Sequence, residues 1–181
     1  MLHRTHDTKD ALATTPAASA QPQLRSVSSV EFTGTRADEA EFRASMLYES
    51  GYWCGESVLK TVNEIAGHPL PADVTRLASG FCEGLGGSRC TCGALAGAVM
   101  AAGLLGGRSG PDDPWEPAYD AAGELRRRFV ENQNASTCDE IVSGIGGMHL
   151  PQRWAHCAEL VGRNARWVVE IAEEHGWLGE K

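Results

Sequence analysis

The chain has 181 residues, of which 42% are hydrophobic and 22% charged, an ordinary globular composition that suits one domain plus a tail. Its 24 acidic side chains outnumber 16 basic ones, leaving a formal charge of −8, which argues against nucleic acid or an anionic membrane surface as the main partner. The first residues carry no apolar stretch of the kind a secretion signal needs, and the longest apolar-rich run, Gly93 to Leu105, is too short to span a bilayer. These features predict a cytoplasmic protein in a compartment where thiols stay reduced. Its six cysteines, at 54, 82, 90, 92, 138 and 157, are then expected to be catalytic, metal-binding or redox-active rather than structural bridges.

Residues 1–35 are rich in Ala, Thr, Ser, Pro and Gln without periodic apolar positions, which predicts a disordered tail ahead of a folded domain at 36–181. The stretch ADEAEFRASMLYES places Phe42, Met46 and Leu47 at helical spacing, with acidic residues early. A second helix is expected from Trp53 to Ile65, with Cys54, Val58, Val62 and Ile65 on one stripe; Gly67 and Pro69 end it. Pro71 to Ser79 reads as a short helix. The glycine-rich segment after it gives way to a helix over Gly93 to Leu105. Small residues at Ala94, Gly97, Ala98 and Ala101 let a second helix approach closely, within the chain or across a homodimer. Tyr119 to Asn132 reads as an exposed helix with a solvated basic face at Arg126, Arg127 and Arg128. Ser136 or Thr137 is placed to cap a short helix holding Cys138 and Ile141. A last helix runs from Trp154 to about His175, with Cys157, Leu160, Val161, Ala165, Val168 and Ile171 on its apolar side. No segment alternates like a strand, so the expected fold is all-α: a single-domain helical bundle with a glycine-rich cysteine loop.

Cys54, Cys92, Cys138 and Cys157 all fall at or near predicted helix starts, where free N–H groups and the helix dipole favour a thiolate. Helix starts on neighbouring elements can converge, so these four cysteines are expected to share one site. Cys92 opens its helix after a glycine-rich loop, and Gly93 leaves space beside its sulfur. Cys82, Cys90 and Cys92 lie close together in that loop, a spacing able to wrap a metal or cluster but matching no standard zinc or ferredoxin pattern. Cys82, Cys90 and Gly93 are therefore candidate cofactor contacts. There is no C-x-x-C and no C-x-x-C-H, so neither a thioredoxin-type dithiol nor covalent haem attachment is indicated. His149 and His156 read as solvated polar residues, Glu56 and Glu83 as surface charge, and Trp53 and Trp154 as core packing or shields for a redox site.

These residues resemble the C-GCAxxG-C-C family of redox-active proteins. YESGYWCGESVLKTV is similar to the family's opening around its first cysteine, here Cys54. ASGFCEGLGG followed by Cys92-Gly93-Ala94-Leu95-Ala96-Gly97 is similar to its central motif, and Cys138 and Cys157 stand where the third and fourth cysteines are expected. The resemblance covers about residues 40–175 and implies an all-helical fold and a redox role. Cys82 and Cys90 are additions to the basic four.

Two forms of redox chemistry follow. In one, Cys54, Cys92, Cys138 and Cys157 hold an iron–sulfur centre and pass electrons to a donor or acceptor protein. In the other they cycle between dithiol and disulfide, with Cys92 as the attacking thiolate. Two readings of other classes compete: a thiolate site for Zn²⁺ or Cu(I) without turnover, and an interaction module with inert cysteines.

Overall fold

A computed structural model describes residues 32–179. Among these it contains six α-helices, a run of 3-10 turns and no strand. Helix α1 spans Arg36–Glu49, α2 Cys54–Ile65, the 3-10 segment Ala72–Phe81, α3 Gly93–Gly106, α4 Glu116–Gln133, α5 Cys138–Gly144 and α6 Gln152–Glu174. The all-α expectation holds, and each expected helix is present within a few residues of its expected ends. No helix among the described residues is long and apolar enough to cross a membrane.

Most of the expected tail lies outside the described residues, but its last four do not. Phe32 packs on Phe42 with ring centroids 5.8 Å apart. Thr35 is the N-cap of α1: its hydroxyl accepts from the Asp38 N–H, and Asp38 returns a bond to the Thr35 N–H at 3.1 Å. That reciprocal capping satisfies donors the first helical turn leaves open. Phe32 and Thr35 therefore belong structurally with α1, although they lie before residue 36.

Helix α6 is the centre of the bundle, and α1, α2, α3 and α4 all pack against it. Its buried face carries Leu160, Val161, Ala165, Val168, Val169, Ile171 and Ala172, an apolar stripe at helical spacing. Outside the core, Arg166 ties α6 to α1 by pairing with Asp38 and Glu41. Together with Thr35 it holds the Asp38 carboxyl down at about 2.

Helix α4 is not the exposed helix its charges suggested. Ala121, Leu125 and Phe129 are fully buried. Arg127 pairs with Glu124 and Glu131, and Arg128 reaches Glu124 and, on α6, Glu170 at 2.9 Å. Three consecutive arginines hide a one-sided apolar stripe because that stripe is only three residues deep.

Helices α2 and α3 touch through their backbones. A Cβ on Gly97 would lie 2.6 Å from the Gly55 carbonyl oxygen and 2.7 Å from the Gly55 Cα, which no ordinary side chain tolerates. The small-residue stripe of α3 thus packs within the chain, with Ala94, Ala98 and Ala101 buried beside it. At the far end of α2, Asn63 fastens the turn into the 3-10 segment: its amide donates to the Leu70 carbonyl at 3.0 Å and its oxygen accepts from the Leu70 N–H at 3.1 Å.

Two helix glycines give opposite expectations. Gly97→Ala should lower stability by about 1–3 kcal/mol through overpacking. Gly123→Ala, with nothing within 4 Å of the added methyl, should raise it by up to about 1 kcal/mol through helix propensity. Thermal or denaturant unfolding of the two variants checks both signs.

Candidate functional site

Four elements deliver Cys54, Cys92, Cys138 and Cys157 to one cavity of about 30 Å³. Cys54 is the first residue of α2, Cys92 the N-cap of α3 and Cys138 the first residue of α5. Helix α6 starts at Gln152, so Cys157 lies in its second turn, and three rather than four of these cysteines stand at helix starts. Each of the six pairings among the four sulfurs is close enough for charge on one to be felt by the other. Tyr48, Trp53, Glu83, Gly93 and Arg153 also line the cavity, with Val142, Leu160 and Val161 behind them.

Local structure explains the convergence. A Cβ on Gly93 would collide with Cys54 Sγ and with the Phe81 carbonyl, so glycine at 93 lets the Cys54 sulfur rest on the start of α3. The loop from Glu83 to Arg89 runs largely through left-handed backbone, with Glu83 at φ 48 and Gly84 at φ 72. It turns back on itself through the Cys90 N–H, which donates to the Gly84 carbonyl at 3.0 Å. Beyond it the chain pairs with the entry to α5. Thr91 and Thr137 form an isolated antiparallel bridge, flanked by bonds from the Cys138 N–H to the Cys90 carbonyl at 2.7 Å and from the Cys92 N–H to the Ser136 carbonyl at 3.0 Å. Thr137 and Glu140 cap α5 reciprocally.

Burial dominates the electrostatics. It pushes the Cys92 thiol up to about 12, although the Ala94 and Leu95 N–H groups at the open start of α3 pull the other way. Burial and the neighbouring Cys157 raise Cys138 to about 11. Cys54 is raised by burial and by Cys92. Cys157 is raised by burial, against the opposing pull of Arg153 and of a hydrogen bond from Tyr48. All four are therefore neutral thiols at pH 7. Placing Cys92 at a helix start does not make it a thiolate, because withdrawal from water outweighs the helix terminus.

The other sequence candidates separate cleanly. Gly93 lines the cavity; Cys82 and Cys90 do not, and Cys90 is exposed. Glu56 caps α2 by accepting the Trp53 N–H at 2.9 Å. Glu83 is no surface charge: it lines the cavity and pairs with Arg153 at 3.0 Å. His156 meets Gln133 at 3.0 Å, away from the sulfurs, and His149 is an exposed loop residue. Trp53 lines the cavity, whereas Trp154 sits outside it, against Tyr48 and under the Arg153 guanidinium.

Sequence reasoning missed Tyr48 and Arg153. Arg153 is 4% exposed, is anchored by Glu83 and Met148, and keeps a buried Nε without a partner. A signal existed in its position one turn before Cys157 on α6, the spacing at which helix residues meet. A larger groove of about 570 Å³ lies between the start of α1 and the end of α2, lined by Arg36, Glu64 and His68 among others. It contains no thiol and lies at the opposite ends of those helices from Tyr48 and Cys54.

Four soft thiolates are a proper donor set for an iron–sulfur centre, Zn²⁺ or Cu(I). The arrangement here does not fit one. About 30 Å³ is room for a water or two rather than a polynuclear cluster, and among the described residues no three His, Cys, Asp or Glu side chains are set to hold a metal ion. The charge also does not match, since the one cation in the lining, Arg153, is already paired with Glu83.

The model of a family described as "Putative redox-active protein (C_GCAxxG_C_C)" matches residues 52–171, a span that holds all six cysteines. A protein of Archaeoglobus fulgidus, described as an uncharacterized protein, is 30% identical over 135 residues, covering 70% of this chain and 89% of its own. No solved structure matches the chain.

The raised thiols predict a graded response to iodoacetamide. Near pH 8 Cys90 should be alkylated first and Cys54 and Cys92 last, as read by peptide mass spectrometry. Because the buried thiols ionise later when folded than when unfolded, their contribution to stability is complete below about pH 8.5 and declines as pH climbs towards about 11 and 12, the Cys138 and Cys92 values. Unfolding midpoints measured between pH 8 and pH 11 should fall more steeply than in a Cys92→Ala variant.

Proposed function

The chain belongs to the C_GCAxxG_C_C family of redox-active proteins, and from that premise we propose that its redox chemistry is reversible oxidation of the cavity thiols to disulfide. One observation carries the reading: four thiols, all held neutral by burial, share a cavity whose lining has no spare charge. Two thiols become one disulfide by releasing two electrons and two protons. Both forms are neutral, so the couple adds no charge to a site that disfavours charge. Four thiolates around a metal would load the same site with negative charge.

The neighbours suggest two pairs. Cys54 rests against Gly93, next to Cys92, and after burial Cys92 is the neighbour that raises its thiol most. Cys157 stands in the same relation to Cys138. The pairs proposed are Cys54–Cys92 and Cys138–Cys157. Tyr48 and Arg153 line the cavity with Cys157 and both favour its ionised form, so they steady the thiolate that appears transiently as a disulfide opens. The electron partner proposed is a dithiol or disulfide carrier in a reducing, cytoplasmic setting.

The test is anaerobic purification followed by thiol counting before and after oxidation, with metal and sulfide analysis. The expected outcome is a colourless protein whose thiol count falls by four on oxidation and returns with dithiothreitol. Iron with sulfide and visible charge-transfer absorption would replace this reading with electron transfer through a cluster; stoichiometric zinc or copper would replace it with metal binding. Cys92→Ser should remove more of the reversible thiol change than Cys82→Ser, and equal losses would refute the assignment of Cys92 to the centre.

A further inference from the structure

Buried thiols need a route to reagents outside, and the structure sets the backbone of a fifth, exposed cysteine against that of Cys138. Cys90 is exposed, while Cys54, Cys138 and Cys157 are partly covered and Cys92 is buried. Its backbone faces Cys138. The Thr91–Thr137 bridge is antiparallel, and the Cys138 N–H donates to the Cys90 carbonyl at 2.7 Å, so Cys90 and Cys138 stand opposite each other one step along the ribbon. Cys138 is also the first residue of α5, so what the bridge sets is the approach of the two backbones, Cα atoms being about 5.5 Å apart at hydrogen-bonded positions of an antiparallel pair. Disulfides span Cα separations of roughly 4.4–6.8 Å. Gly84 marks the same meeting point: a Cβ there would lie 2.7 Å from Cys90 N and 2.8 Å from Cys138 Cβ.

We propose that Cys90 is the exchange port of the redox centre, forming a disulfide with Cys138 across the Thr91–Thr137 bridge and so passing electrons between the buried thiols and a dithiol in solution. The transfer role rests on the reading of the cavity as a disulfide centre; the Cys90–Cys138 pairing does not.

The exchange balances. Starting from a Cys138–Cys157 disulfide, the Cys90 thiolate attacks Cys138 Sγ. The Cys138–Cys157 bond breaks, and Cys157 leaves and takes up a proton. An external dithiol then attacks Cys90 Sγ, Cys138 leaves and is protonated, and the second external thiol closes on the first to release Cys90. One external dithiol has become a disulfide, one internal disulfide has become two thiols, and two electrons and two protons have moved inward. In the reverse direction an external disulfide oxidises the centre. The Cys138 sulfur is the shared atom in this scheme because Cys138 belongs to the cavity and its backbone meets that of Cys90.

The experiment uses the full chain equilibrated with oxidised glutathione, quenched in acid, alkylated and mapped by peptide mass spectrometry. A Cys90–Cys138 linkage is expected in the unaltered chain and in Cys82→Ser. Cys90→Ser should slow the reduction of the oxidised protein by dithiothreitol roughly tenfold or more, since attack must then reach a buried sulfur directly; Cys82→Ser should leave that rate as it is. Absence of the Cys90–Cys138 linkage at every glutathione ratio, or equal reduction rates in Cys90→Ser and Cys82→Ser, would overturn the port. A Cys90–Cys138 linkage with no disulfide among Cys54, Cys92 and Cys157 would uphold the pairing while removing the reading of the cavity.

Discussion

The backbone contact between Gly55 and Gly97 is the constraint on which the site depends. With no Cβ on Gly97, α2 and α3 approach until the Gly55 carbonyl meets the α3 backbone. Only at that separation does Cys54, the residue before Gly55, lay its sulfur on Gly93, the residue after Cys92. The sulfurs of two distant cysteines are brought together by their glycine neighbours. Cys157 then comes from α6, whose buried face packs against both helices, and Cys138 from α5, held by the short ribbon around Thr91 and Thr137.

Two opposing effects act on these thiols, and their sizes decide the outcome. A helix terminus favours a nearby anion by about 0.3–1 kcal/mol, rising to about 2 in buried geometries. Removing an ion from water costs several kcal/mol even after relaxation. For Cys92, at a helix start but 7% exposed, the second wins. The site is thus a store of neutral thiols, with Tyr48 and the Arg153–Glu83 pair set around Cys157 and Cys138. Reactivity towards the outside then falls to exposed sulfur, and Cys90 is the exposed cysteine whose backbone is bonded to that of a cavity cysteine.

Helix positions were legible because they follow from residues near each other in the chain. The apolar stripe of α6, the Thr137 cap and the breaks at Gly67 and Pro69 each act over a turn or two. So does the C-G-A-x-x-G motif, in which the cysteine, Gly93 and Gly97 turned out to be the sulfur, the space beside it and the helix contact. The reading of α4 failed where short-range information ran out. Arg128 looks solvated in sequence because Glu170, which it meets, lies 42 residues away. Glu83 looked like surface charge for the same reason, its partner Arg153 being 70 residues distant.

From the amino-acid order alone came the all-helical class, the family and the membership of the four-cysteine set, since periodicity, caps and motif spacing are local properties. Tertiary structure decided the protonation of those cysteines, the roles open to Tyr48 and Arg153, and the division of the six thiols into four inside and two outside. The physical reason is that ionisation depends on how much water and charge surround a group in three dimensions. Cys90 and Cys92 are two residues apart in the chain, yet one faces solvent and the other is buried, because Cys92 caps the start of α3 while Cys90 still belongs to the loop before it.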